Sequence, residues 1–193
     1  MNPRHLIPQA LTETSFAPYG RVLQVPADGH GGQSINDGTS QRFELVANAL
    51  LTDDAGRPVI SISRALARVL PMDLLGMERR RLGSQSFVPL GAARRFVVVV
   101  AAAGVPAEAQ AGQLQACVAD GSQANVALPL CLTPAGGGRP WGRSQGVMLA
   151  PGTWHHGLLA LDAGDYLVLE RRGDAVDCDL ADLALPVRLA WQG

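Results

Sequence analysis

Val59-Ile60-Ser61-Ile62-Ser63-Arg64-Ala65 alternates at every step. A period of two puts Ile60, Ile62 and Arg64 on one face of an extended chain and Ser61 and Ser63 on the other, which predicts a β-strand. The same reading spreads outward in both directions. Arg21–Val25 and Arg42–Ala49 alternate, and Gly83–Pro89, Gln113–Ala119 and Val147–Leu149 are extended in character. Phe96–Ala103 is apolar without a break and predicts a fully buried strand. Tyr166–Arg171 is the last clear strand. Pro8–Phe16 reads as a short helix stopped by Pro18-Tyr19-Gly20, Pro26–Asp37 as loop, and Asp53-Asp54-Ala55-Gly56 as a turn. Pro71–Glu78 leads into an arginine triplet without a pattern of its own. Short strands with turns about every eight to twelve residues predict a mainly β chain with a few short helices, folded as a sandwich or barrel of the jelly-roll type. Ser122–Gln145 holds Gly136-Gly137-Gly138 and little periodicity, so a long inserted loop is expected there, within a single domain over 1–193.

Composition narrows the function. Of 193 residues, 47% are hydrophobic and 17% charged, which fits a compact core and excludes a disordered chain. The net charge is -1 and the longest basic run is Arg79-Arg80-Arg81, so nucleic acid is not an expected partner. That triplet reads most simply as a solvated strand edge or loop. Met1–Ser15 is mixed and polar, unlike a signal peptide. The apolar run Phe96–Gly104 is too short to span a bilayer, so no membrane partner is expected. Cys117, Cys131 and Cys178 are widely spaced and odd in number, as for reduced thiols in the cytoplasm.

Chemistry points first to Pro151-Gly152-Thr153-Trp154-His155-His156, which holds two of the four histidines. Imidazole moves protons near neutral pH and holds metals. If a strand begins at Trp154, the two rings face opposite sides. The spacing Pro-Gly-x-x-His resembles the second motif of cupin-type jelly-roll enzymes, which favours His155 inward. At the place of a first cupin motif stand Glu78, Arg80 and Gln85. Arginine cannot bind a metal, so Glu78 and His155 are the only metal ligands this spacing offers. Arg64 on a strand face requires an anion, either a substrate carboxylate or a structural Asp or Glu. Arg42 poses the same question. Gln85 can both donate to and accept from an amide or ureido group, with Ser84 and Ser86 facing away. Glu170-Arg171 and Asp177-Cys178-Asp179 read as a salt-bridged edge, and Cys178 as a nucleophile would need a base beside it.

Several segments together resemble the ureidoglycolate lyase family. They are Phe16-Ala17-Pro18-Tyr19-Gly20, Ile35-Asn36-Asp37-Gly38 with Arg42, Ile60–Ala65, Glu78-Arg79, Leu82-Gly83-Ser84-Gln85-Ser86-Phe87-Val88-Pro89, Phe96–Ala101, Gly146-Val147, Trp154-His155-His156, Asp165-Tyr166-Leu167, and Glu170-Arg171 with Cys178-Asp179. The resemblance runs from about residue 16 to 180. It departs at Arg80-Arg81, where the family usually has His-Pro, at Gly157 in place of Pro, and at Leu149 in place of Tyr. The resemblance implies a cupin-like β-barrel homodimer that splits ureidoglycolate into glyoxylate and urea in allantoin (purine) breakdown. It also implies roles. His155 would be the base, with His156 or Glu78 as helper. Arg64 would clamp the carboxylate, and Gln85 and Asn36, with Arg42 nearby, would hold the substrate. No redox cofactor is needed, and some members are described with nickel or another divalent ion. Two rival readings stand beside it: another small-acid enzyme on the same scaffold, for which Arg80 would add an anion site, and a non-catalytic protein that binds a small acid.

Overall fold

A computed structural model describes residues 4–26, 30–45, 56–91, 94–106, 110–120, 144–174 and 176–191. The strands are β1 (Arg4–Leu6), β2 (Gln9–Ala10), β3 (Gly20–Leu23), β4 (Gln33–Ile35), β5 (Ser40–Arg42), β6 (Arg57–Ala65), β7 (Met72–Arg79), β8 (Gln85–Pro89), β9 (Arg95–Ala101), β10 (Gln115–Asp120), β11 (Gly146–Leu149), β12 (Trp154–His155), β13 (Leu159–Ala160), β14 (Gly164–Arg172) and β15 (Asp179–Leu189). Two short helices, α1 (Glu13–Phe16) and α2 (Gln110–Gln113), join them. The chain is mainly β and cupin-like. An eight-stranded sheet in the order β1-β15-β7-β12-β9-β10-β2, with β13 beside β9, faces a five-stranded sheet in the order β3-β11-β8-β14-β6.

Two cores follow from the side-chain alternation. Between the sheets, Phe96, Val98 and Val100 of β9 pack with Phe16, Phe87, Leu149, Tyr166 and Val168. On the other face, Val97, Val99 and Ala101 meet Leu74, Met77, Trp154, Val187 and Leu189, because the larger sheet curls over itself. Strand β9 is therefore covered on both faces, as its unbroken apolar run predicts. Burying each such side chain stabilises the fold by about 1.5–3 kcal/mol, and the two cores lock β7, β9 and β12 side by side.

Several expectations need correction. Only Glu13–Phe16 of the expected Pro8–Phe16 helix is helical, because Thr12 and Ser15 form a reciprocal capping box there. Gln9 and Ala10 instead pair with Cys117 and Val118 of β10. Gln33–Ile35, expected as loop, pairs with Ser40–Arg42; of the strand expected over Arg42–Ala49, residues 43–45 are not in a strand and residues 46–49 lie outside the described residues. Pro71–Glu78, left without a pattern, contains β7, whose buried Leu74 and Met77 stand three apart across Gly76. The last strand is β15, not β14. The Ser122–Gln145 loop up to residue 143, and Asp53–Ala55 of the expected turn, lie outside the described residues.

Candidate functional site

The site grows from a tight turn. Gly152 sits at φ 81°, a region that favours glycine. Its N–H donates to the Arg80 carbonyl at 2.6 Å, and the Thr153 hydroxyl donates to the Tyr19 carbonyl at 3.0 Å. These bonds start β12 beside two neighbours, with His155 opposite Glu78 of β7 and opposite Val100 of β9. The His155 ring thus lies between the sheets, edge-on to Phe87 at 6.4 Å, and is 1% exposed.

Hydrogen bonding fixes its chemistry. His155 Nδ1 lies 3.1 Å from the Thr153 carbonyl oxygen. A carbonyl only accepts, so Nδ1 carries the proton. Nε2 is buried without a hydrogen-bond partner and stands 3.5 Å from Glu78 Oε1. Once the His155 ring is protonated, its contact holds the Glu78 carboxyl below its usual range against the opposing effect of burial, with further help from Arg80 and the Cys178 thiol. Cys178 Sγ lies 3.6 Å from Glu78 Oε2. Burial and the neighbouring carboxylate push that thiol up, although Arg80 pulls the other way. Cys178 is thus a protonated donor to Glu78 and a poor nucleophile.

The facing sheet supplies the second half. Gln85 of β8 pairs with Glu170 of β14, and its amide nitrogen donates to Glu170 Oε2 at 3.0 Å. Arg80 Nη2 lies 3.6 Å from the same oxygen, beyond hydrogen-bond range. Gln85 Oε1 and Arg80 Nε are buried without partners, like His155 Nε2. Each such atom costs about 1–3 kcal/mol unless something fills its bonding capacity. Glu78 also borders a groove of about 300 Å³ with Gly76, His156, Leu180 and Asp182.

The predicted residues separate into two groups. Glu78, His155 and Gln85 converge on this cluster. His156 lies on the groove instead, its backbone N–H bonded to the Val99 carbonyl at 3.0 Å and its Nδ1 to the Gly157 carbonyl at 2.9 Å. Adjacent residues thus part to different surroundings, as alternation requires. Arg64 does not join the cluster. It holds Asp165 through two bonds of 2.8 and 3.0 Å on an exposed edge, so its anion is the structural one. Its face, with Ile60 and Ile62, points to solvent rather than to the core. Asp165 and Glu170 are five residues apart on β14, roughly 17 Å along a strand. Asn36 sits in the exposed β4–β5 turn at φ 51°, and Arg42 ends that hairpin 3.9 Å from Glu44.

The outer two arginines of the triplet are paired. Arg79 and Arg81 lie 2.8 and 3.2 Å from Asp179, and Arg79 stacks on Trp154 at 4.4 Å. Sequence reasoning offered Arg80 only as an anion site in a rival reading and placed Glu170 on a salt-bridged edge; the structure puts Arg80 Nη2 3.6 Å from Glu170 Oε2. The alternation of buried Tyr166 and Val168 carried the signal for Glu170, because it points Glu170 inward. Asp177 and Asp179 do form the expected salt-bridged edge. Among the described residues no three of His, Cys, Asp and Glu group so as to hold a metal ion. The donors at Glu78 and His155 do not fit a divalent ion by themselves.

The chain is similar over most of its length to proteins named ureidoglycolate lyase. The family profile of that description matches residues 3–128 and 142–190. A ureidoglycolate lyase of Burkholderia cepacia is 36% identical over 184 residues, covering 95% of this chain and 86% of the relative. One from Burkholderia mallei (strain NCTC 10229) is 36% identical over 167 residues, covering 86% and 82%. One from Pseudomonas syringae pv. syringae (strain B728a) is 34% identical over 177 residues, covering 91% and 88%.

Proposed function

The chain belongs to the ureidoglycolate lyase family, and from that premise we propose that it cleaves ureidoglycolate to glyoxylate and urea at the His155–Glu78 pair. One observation carries the assignment: a buried imidazole whose Nδ1 is committed to a carbonyl presents a bare Nε2 beside a carboxylate. Ureidoglycolate has a hydroxyl, a carboxylate and a ureido nitrogen on one carbon. His155 Nε2 takes the hydroxyl proton, the C–O bond becomes a carbonyl and the C–N bond breaks. Glu78 steadies the imidazolium, and the same proton passes to the departing nitrogen, so that urea leaves neutral and the proton count closes. The ureido N–H groups find acceptors in Gln85 Oε1 and Glu170. Acid–base elimination of this kind needs no redox cofactor.

Glyoxylate release from ureidoglycolate by purified protein, with the uncatalysed rate subtracted, tests the reading. Turnover that survives chelator treatment and disappears in His155→Ala is expected. Full activity in that variant would overturn the base assignment, and turnover restored only by added divalent ion would overturn metal-free elimination.

Membership of allantoin breakdown, a cytoplasmic location and a homodimer belong to the same proposal. The outer face of the smaller sheet supports the dimer, because the cross-strand row Ile62–Leu167–Val88 places apolar side chains on its solvent side. Ile60 and Ile62 are 68% and 55% exposed there, and a second copy would cover them. Sedimentation of wild type and of Ile62→Asp decides it; a wild-type monomer would reject it.

A further inference from the structure

We propose that Arg80 binds the carboxylate of the substrate, an inference that rests on His155 being the base. The hydroxyl that loses its proton and the carboxylate share one carbon, so the cation that binds the carboxylate has to stand within a few ångströms of His155 Nε2. Arg64 lies at the far end of β14 and is spent on Asp165. Arg80 stands at the cluster, its charge acting on both Glu78 and Cys178. A guanidinium carries five N–H donors in a planar fork matched to a carboxylate, and those of Arg80 are largely unused. Its contact with Glu170 is 3.6 Å long, and that carboxylate already accepts from Gln85 at 3.0 Å and lies 3.5 Å from Arg172. Its Nε is buried without a partner.

The backbone at Arg80 is fixed from both sides. Its carbonyl accepts from Gly152 in the turn that delivers His155, and the next two N–H groups, of Arg81 and Leu82, donate to Asp177 Oδ1 at 2.9 Å each. The backbones that carry the base and the cation are therefore joined by one hydrogen bond, from the turn before His155 to Arg80. Arginine gives this position a permanent charge.

Steady-state kinetics with ureidoglycolate, with glyoxylate and urea as product inhibitors, test the proposal in wild type, Arg80→Ala and Arg80→Lys. In Arg80→Ala, KM is expected to rise roughly 10- to 100-fold, kcat to change less, glyoxylate inhibition to weaken in parallel, and urea inhibition to hold. Arg80→Lys restores charge without the fork and is expected to fall between. An unchanged KM, or equal weakening of glyoxylate and urea, would overturn the proposal. If Arg80→Ala does not fold, the glyoxylate-to-urea ratio in Arg80→Lys decides: an unaltered ratio rejects Arg80. Calorimetric binding of glycolate separates this inference from the proposed function. Should wild type bind glycolate yet not turn over ureidoglycolate, the function fails; loss of glycolate binding in Arg80→Ala then still upholds the carboxylate site, and equal binding rejects it.

Discussion

The two ends of β14 carry the same chemical groups and use them in opposite ways. At its start, Arg64 grips Asp165 with bonds of 2.8 and 3.0 Å, and nearby Arg95 donates to Asp162 from its backbone and from two side-chain nitrogens at 2.9–3.1 Å. At its finish, Arg80 stands 3.6 Å from Glu170, and Arg80 Nε, Gln85 Oε1 and His155 Nε2 are buried without partners. A closed pair spends its bonding capacity inside the protein, where it adds a little stability. An open cluster holds that capacity in reserve at a local cost in folding free energy, which a ligand's polar groups can offset.

The sharpest way to break this comparison is to remove the bare nitrogen. His155→Ala is expected to lower kcat by about 10²- to 10⁴-fold, with the fold retained in far-ultraviolet circular dichroism. His155→Gln keeps much of the volume but cannot take the proton, and is expected to be as inactive. A variant that lost activity only through unfolding would remove the distinction between the two ends.

Next in size is the support beneath the open end. Asp177 is 7% exposed, lies 3.7 Å from the buried Arg171, and accepts from the backbone of Arg81 and Leu82. Asp177→Ala leaves Arg171 as an uncompensated buried charge and frees the loop that carries Arg80. Urea denaturation is expected to show a loss of about 3–5 kcal/mol. A loss below 1 kcal/mol would mean that the loop is held by other contacts.

Acid titration sharpens the comparison from the closed end. The hydrogen bonds from Arg95 hold the Asp162 carboxyl below its usual value of 3.8, in spite of burial. The folded state thus keeps this group ionised at a pH where the unfolded chain binds a proton. Its contribution is fully present above 3.8 and disappears as pH falls through the lower folded value. Unfolding free energies measured on either side of that window should fall on acidification by less in Asp162→Asn than in wild type. Equal slopes would show that Asp162 contributes nothing.

How much of this was legible in the sequence follows from which rule each segment obeys. Strand β6 alternates and β9 is uniformly apolar, and both were readable. The alternation of β6 did not reveal which face is buried, and Ile60 and Ile62 in fact face solvent. Strand β15 hid because Pro186 interrupts it, and proline lacks the N–H that a ladder uses. The register shift between Asp182 and Val187 absorbs the proline, so buried Leu183 and Val187 fall four apart across it. Cupin-like spacing singled out Glu78, Gln85 and His155, and the structure brings Glu78 and His155 to 3.5 Å. Arg64 lies apart from them, because a strand pattern shows that an arginine needs an anion without showing which one. Asp165 lies 101 residues away in sequence, and only the β6–β14 register brings it opposite. Arg80 stands in a triplet whose other members pair with Asp179, and the sequence offered it only as an anion site for another small acid.

The smallest expected effect is the most discriminating for the comparison itself. The Arg64 side chain is 83% exposed, and an exposed ion pair contributes about 0–1 kcal/mol even in good geometry, because water screens it and two long side chains must be held still. Arg64→Ala should therefore leave KM for ureidoglycolate and kcat unchanged and shift stability by less than about 1 kcal/mol. The contrast with Arg80→Ala is then between two arginines of one protein, removed by the same substitution. If instead KM rises for Arg64→Ala, the carboxylate is bound at the closed end and the open cluster serves another part of the substrate. Nothing in the geometry of a satisfied bidentate pair leaves donors for that role, and so a rise in KM would require Asp165 to release Arg64 when substrate binds. Asp165→Ala distinguishes that case, since freeing Arg64 would then lower KM instead of leaving it alone.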